Sequence, residues 1–284
     1  MKILSVGQIG WDITTIDNKT SKNYGGSVLH FCLAAALMGM KTDMLCYVNK
    51  KEWENLINKL QQIGIGTDNI IDFDHTIRFN MYYDKELQFS EEKFSMDIND
   101  SEPPVYEMIP YLKQYDLYNI CETLPEQDFK TLQIIKDNNK NAEIAMQFHI
   151  DNLLCDKELY LSLLNKIDYL FMNYDEALFL SGCNTLEEII DFFKKRIKKI
   201  VFITSHTQNC AVTHNEVVMM KPMAADIVVD PTGAGDCFAG GAIAGLCLNG
   251  HLETALRYGS MCSYFKLKGY SSNYLFEMLK VWRI

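Results

Sequence analysis

The sequence predicts an α/β protein: a three-layer, doubly wound, mostly parallel sheet with a small second β-sheet. Three observations predict it. Short apolar runs of strand length alternate with helical patterns from the N-terminus to about residue 204. Those runs are near-continuously apolar, as strands buried on both faces must be. One interval, between Asp72 and Asn99, breaks the alternation with strand-like residues alone. The 284 residues suffice for one large domain with a sizeable core. No linker, repeat or low-complexity tract divides them, so residues 1–284 read as a single domain.

Taken in order, the predicted main-sheet strands are 2–7, 43–48, 116–121, 143–148, 169–173 and 199–204. Each is short, rich in branched or aromatic residues, and bounded by polar or turn residues. Helical patterns lie between them at about 27–38, 52–63, 126–138, 156–165 and 185–196. Residues 209–214 and 216–221 read as a hairpin turning at His214-Asn215. Ile227-Val228-Val229 reads as a last short strand, and helices follow at about 235–249 and 251–267. The irregular interval holds Thr76-Ile77-Arg78-Phe79-Asn80-Met81-Tyr82-Tyr83, a turn at Asp84-Lys85, then Leu87-Gln88-Phe89-Ser90. Residues 12–22 are also short, polar and β-branched, so strands from about 12–24 and 74–98 can form the second sheet.

A net charge of −10 and a pI near 5.1 argue against nucleic acid or an anionic membrane as the main partner. The start Met1-Lys2-Ile3-Leu4 lacks the pattern of a secretory signal. The apolar run from Phe31 to Met40 is too short to span a bilayer. Nine scattered cysteines, with no Cys-x-x-Cys pair, suit reduced thiols in a cytoplasmic protein. Gly7-Gln8-Ile9-Gly10 is an incomplete dinucleotide-binding fingerprint, and no P-loop motif is present.

The most informative stretch is Asp230-Pro231-Thr232-Gly233-Ala234-Gly235-Asp236, followed by the small-residue run 237–245. A glycine-rich turn leading into a helix presents unpaired N–H groups and the positive end of the helix dipole. Glycines let an anion approach those groups. An aspartate in the same turn would sit beside the bound anion, which suits phosphoryl transfer to a hydroxyl. The alternative is a plain turn with Asp236 as a first-turn acid.

This string resembles the C-terminal signature of the ribokinase-like carbohydrate kinases, the PfkB family, with Pro231 where the family has Thr. The resemblance implies a ribokinase-like fold, with Gly233, Ala234 and Gly235 as the anion hole and Asp236 as catalytic base. It implies that Asp12, after the first strand, binds substrate hydroxyls, where a solvated loop acid is the alternative. Tyr24-Gly25-Gly26-Ser27-Val28-Leu29-His30 resembles the family's first signature. Gly25 and Gly26 would admit the substrate, and His30, where the family often has Asn, would either face it or pack between helix and sheet. Asn173-Tyr174-Asp175-Glu176 matches the family's Asn-x-x-Glu, implying that Asn173 and Glu176 arrange Mg²⁺ through water; Asn followed by an acid also begins many helices. Thr204 and His206 fall where the family holds nucleotide. Asp230 and Thr232, with the segment around Gly269, correspond to a monovalent-cation (K⁺) site found in some members. The second sheet corresponds to the family's lid, often used for homodimerisation.

The chain departs from the family at 204–210, which contains no glycine. The expected activity is ATP-dependent phosphorylation of a hydroxyl on a small sugar, polyol or nucleoside. The alternative is a non-catalytic relative that binds a metabolite.

Overall fold

The structure is a computed structural model describing residues 1–87, 90, 95–97, 104–121 and 124–281. In chain order the strands are β1 (Ile3–Gly7), β2 (Gly10–Ile16), β3 (Lys19–Gly25), β4 (Thr42–Val48), β5 (Ile70–Asp72), β6 (Ile77–Tyr83), β7 (Ser95–Asp97), β8 (Leu117–Cys121), β9 (Glu143–Gln147), β10 (Tyr169–Asn173), β11 (Ile200–Thr204), β12 (Asn209–Val212) and β13 (Val217–Met220). The helices are α1 (Ser27–Leu37), α2 (Lys50–Gln62), α3 (Pro125–Asn138), α4 (Ile150–Cys155), α5 (Lys157–Leu163), α6 (Tyr174–Ser181), α7 (Leu186–Lys194), α8 (Ala234–Asn249), α9 (Leu252–Leu267) and α10 (Asn273–Val281).

Among the described residues, nine strands form the main sheet in the order β13-β12-β11-β10-β9-β8-β1-β4-β5. Pairing is parallel from β5 through β11 and antiparallel at β12 and β13. The chain winds outward from β1 in both directions, so its order reverses between β1 and β8. Ligands of open α/β sheets bind beyond the C-terminal ends of strands at such a switch point. Here those ends are Gly7 and Cys121, which are register partners.

Two apolar layers flank the sheet. One packs residues of α1, α2, α8, α9 and α10 against one face, and the other packs α3, α5, α6 and α7 against the opposite face. Successive strand residues alternate between them: Ile3 joins the first and Leu4 the second. Helix α8 is buried from Asp236 through Gly245, which explains its run of small residues. A β-carbon at Gly240 would meet the backbone of α1, and one at Gly241 the backbone of α9.

Local chemistry sets the helix starts. Asn49 accepts a bond from the Glu52 N–H at 3.1 Å to begin α2. Thr185 and Glu188 form a reciprocal capping box that begins α7.

A separate four-stranded sheet has the order β3-β2-β6-β7. Asp17 and Asn18, both at positive φ (46° and 63°), turn β2 into β3, as a tight hairpin requires. The parallel β2–β6 pairing joins the two intervals singled out in the sequence. The expected strand at 87–90 is not formed at Leu87 or Ser90, and residues 88 and 89 lie outside the described residues.

Several elements differ from expectation. Residues 227–229 form no strand: Ile227 is 72% exposed, and Val229 instead donates its N–H to the Leu267 carbonyl at 2.7 Å. β5, α4, α6 and α10 were not anticipated. Among the described residues no helix is long and apolar enough to cross a membrane.

Candidate active site

A cavity of about 550 Å³ opens at the C-terminal ends of β1, β8, β9, β10 and β11, between the main sheet and the small sheet. Its floor is the start of α8. Gly233 is the N-cap in the left-handed region (φ 76°), a conformation that favours glycine. Asp230 holds the preceding turn by accepting the Thr232 N–H at 2.9 Å. A β-carbon at Gly235 would meet no heavy atom within 4 Å, so the cavity is open beside the first turn of α8, although the Ala234 N–H there already donates to the Pro231 carbonyl at 3.2 Å.

Asp236 lies in that first turn and is 6% exposed. Its Oδ1 is buried with no hydrogen-bond partner among the described residues. Burial pushes its carboxyl above the usual aspartate range; His149, His30 and the Ser27 hydroxyl oppose that shift, and Asp12 adds to it. The sequence points to an Asp236 kept ionised by the helix terminus. Burial acts in the opposite direction and favours a carboxylate that holds its proton more tightly than an exposed aspartate.

Asp12, on β2, is 2% exposed and lines the same cavity, so it is not a solvated loop acid. Its Oδ2 accepts from the Ser271 hydroxyl at 2.6 Å and contacts His30 Nε2 at 3.1 Å. His30 Nδ1 lies 3.2 Å from the Ser272 hydroxyl. Both ring nitrogens are thus engaged by the protein, and the ring also packs against Gly233. Gly25 lies outside the cavity lining and clears space for the Asp12 carboxylate, whereas Gly26 lines the cavity. Gly26 begins α1 at φ 92°.

Asn173 and Glu176 close a capping box at the start of α6. The Glu176 N–H donates to Asn173 Oδ1 at 2.9 Å, and the Asn173 N–H donates to Glu176 Oε2 at 2.7 Å. Both still line the cavity. Burial raises the Glu176 carboxyl, and His149 lowers it. His149, at the start of α4, therefore stands electrostatically between Glu176 and Asp236.

Thr204 lines the cavity, but His206 is exposed and does not. The glycine-free segment after β11 needs no left-handed residue, and none there has positive φ. Ser205 makes the turn instead: its hydroxyl accepts from the Gln208 N–H at 2.9 Å and donates to the Gln208 carbonyl at 2.7 Å.

The small sheet closes the cavity with Phe79, Met81, Tyr83 and Met96. The Tyr83 hydroxyl lies 3.1 Å from the Thr232 hydroxyl, tying β6 to the glycine turn. Tyr82 points away from the lining set, as strand alternation requires. Cys237 is fully buried, burial pushes its thiol up, and it donates to the His30 carbonyl at 3.7 Å; it is a packing residue.

Asp230 and Thr232 do not form an open cation site. Both Asp230 carboxylate oxygens accept backbone N–H groups, from Thr232 and from Ser271 at 2.7 Å. The Lys266 ammonium fills the adjoining space. Sequence reading missed His149, Ser271 and Lys266, and could not say which of Tyr82 and Tyr83 faces the cavity. Only Lys266 leaves a signal: it falls on the apolar stripe of α9 with Ala255, Gly259 and Cys262, where a charge is out of place.

The chain is similar to known proteins in sequence and in fold. The model of the pfkB family carbohydrate kinases matches residues 10–276. A cytidine kinase of Thermococcus kodakarensis is 23% identical over 91% of this chain and 93% of its own. An ATP-dependent 6-phosphofructokinase of Thermoanaerobacterium thermosaccharolyticum is 23% identical over 94% of this chain and 88% of its own. The structure of Burkholderia thailandensis nucleoside kinase in complex with inosine superposes with a TM-score of 0.78 at 15% identity, covering 95% of this chain and 92% of that one.

Proposed function

The chain belongs to the pfkB family of carbohydrate kinases, phosphotransferases with a hydroxyl acceptor, and on that premise we propose that its acceptor is a nucleoside. The observation that carries this reading is the apolar roof of the cavity. Phe79, Met81 and Met96 present rings and thioethers where a sugar or polyol would need polar partners. A nucleobase is flat and apolar on both faces, and aromatic and sulfur contacts suit it. The ribose would lie below it, toward Asp12. The similarity to a cytidine kinase and to a nucleoside kinase that holds inosine supports the same reading.

The residues divide the work. Asp12 has Oδ2 committed to Ser271 and His30, which leaves Oδ1 to accept a ribose hydroxyl. His30 is a positioning residue that fixes the Asp12 carboxylate. Bound Mg-ATP supplies an electrophilic γ-phosphoryl group and partial neutralisation of its charge. The fit is supported by the open space beside Gly235 and by Asp236 Oδ1, which has no hydrogen-bond partner among the described residues. Among the described residues no group of three His, Cys, Asp or Glu side chains can hold a metal directly. That suits magnesium retained mainly by water and phosphate, with Asn173 and Glu176 reaching it through water. Asp236 takes the hydroxyl proton as the acceptor oxygen bonds to phosphorus and ADP leaves.

The test is ADP release from Mg-ATP across panels of nucleosides, sugars and polyols. We expect the best nucleoside to exceed the best sugar by about 100-fold in kcat/KM, because a sugar leaves the apolar roof uncovered. A sugar preferred over every nucleoside overturns the acceptor. Ligand binding without turnover on any acceptor returns the metabolite-binding alternative.

The Tyr83–Thr232 contact has its own consequence. A lid that excludes water protects the γ-phosphoryl group from hydrolysis. Tyr83→Phe removes one hydrogen bond, about 1 kcal/mol. The expected result is a several-fold higher acceptor KM and more ADP release without acceptor. Unchanged values for both dissociate the contact from closure.

A further inference from the structure

We propose that Lys266 is a built-in cation for the anion-binding turn. Its ammonium takes the place a monovalent metal ion would need beside Asp230, so phosphoryl transfer here needs no such ion. The proposal deepens the kinase reading of this cavity.

The geometry is specific. Lys266 Nζ donates to the Asp230 carbonyl at 3.0 Å, with the Gly269 carbonyl at 3.4 Å and Asp230 Oδ2 at 3.7 Å. Lys266 and Asp230 are both fully buried. A second cation among these oxygens would meet an ammonium a few ångströms away, where low dielectric magnifies repulsion. The other donors are committed too. Asp230 Oδ1 and Oδ2 accept the Thr232 and Ser271 N–H groups, and the Thr232 hydroxyl contacts Tyr83. The residues present therefore do not fit a bound metal ion.

The charge also has a task. Among the described residues lining the cavity none is Lys or Arg, while Asp12, Asp151, Glu176 and Asp236 all line it. Positive potential at the glycine turn must come from its N–H groups and from behind. Lys266 lies behind, bonded to the first residue of the turn. Burying an ammonium is costly unless it is compensated, and the apolar stripe of α9 would accept methionine at this position. A fixed charge there holds residues 230–233 in the anion-binding conformation and offsets charge developing on the phosphoryl group. Lys266 touches no reactant, so it is a positioning residue.

The test compares wild type and Lys266→Met in potassium chloride and in choline chloride at equal ionic strength. Two readouts are used: turnover on the best acceptor, and the thermal shift produced by Mg-ADP, which needs no acceptor. Wild type should give the same values in both salts. Lys266→Met should lose about 100-fold or more in kcat with a smaller change in acceptor KM, the pattern of lost transition-state stabilisation. Methionine fills the space, so the truncated Lys266→Ala carries the rescue: potassium or ammonium should restore part of its loss and part of its Mg-ADP shift, as neither would after a simple packing defect. Several-fold potassium stimulation of wild type overturns the proposal, as does an unimpaired Lys266→Met or an unrescued Lys266→Ala. If Lys266→Met does not fold, the wild-type comparison decides alone: indifference to potassium supports the proposal and stimulation refutes it. If no acceptor turns over, the kinase reading fails while the Mg-ADP shift still tests Lys266.

Discussion

Asp236→Asn is expected to lower kcat by about 10²–10⁴-fold, the range for loss of a positioned general base. Mg-ATP should still bind, because the proposed anion site uses backbone N–H groups at the start of α8 rather than this side chain. The folded protein should become more stable, not less. Burial raises the Asp236 carboxyl above its ordinary value. A carboxyl raised on folding favours the protonated native state, so its ionisation costs stability as pH rises through the raised value, and the cost is fully present above it. Asparagine removes that cost, and a melting temperature higher by a few degrees is expected near neutral pH. The same shift sets the acid limb of the wild-type rate. The base must be ionised, so kcat/KM should fall as pH drops through a value above the usual aspartate range, and the variant should lack that limb. Activity within about tenfold of wild type would remove Asp236 from the base role.

Most of the fold was legible because burial on both faces writes itself into strands as continuous apolar runs. β1, β4, β8, β9, β10 and β11 all fall within about a residue of the ranges read from sequence. The errors have physical reasons. Residues 227–229 carry β-branched side chains but find no ladder, and Ile227 stays in solvent. Helix α6 begins at Asn173-x-x-Glu176, where one short pattern serves both a capping box and the cavity wall. The site was legible where one local string supplies it, as in Gly233–Asp236. It was illegible where residues far apart in sequence converge. Ser271 joins Asp12 from 259 residues away, and Lys266 joins Asp230 from 36 residues away. Strand register decides the lid: Phe79 and Tyr83 face the cavity and Tyr82 does not, a distinction of one residue that the aromatic cluster alone cannot make.

Gly233→Ala tests whether the two halves of the site are mechanically one. Two independent penalties act at this position. Gly233 adopts φ 76°, and a β-carbon there costs roughly 1–2 kcal/mol. The same β-carbon would drive into the His30 ring. His30 cannot turn aside freely, because Asp12 holds one ring nitrogen and Ser272 lies against the other. Relief must come from moving His30, and with it Asp12, or from moving the glycine turn at the start of α8. Either displacement reaches both substrates. The variant should therefore lose about 2–4 kcal/mol of stability and at least about 100-fold in kcat/KM, with acceptor KM raised as well. Pairing it with His30→Ala separates the terms. The double variant should recover the steric part of the stability loss but not the backbone part, giving a favourable coupling of about 1 kcal/mol or more between adjacent sites. Additive losses would mean that the turn yields by itself and that the acceptor carboxylate is braced independently of it.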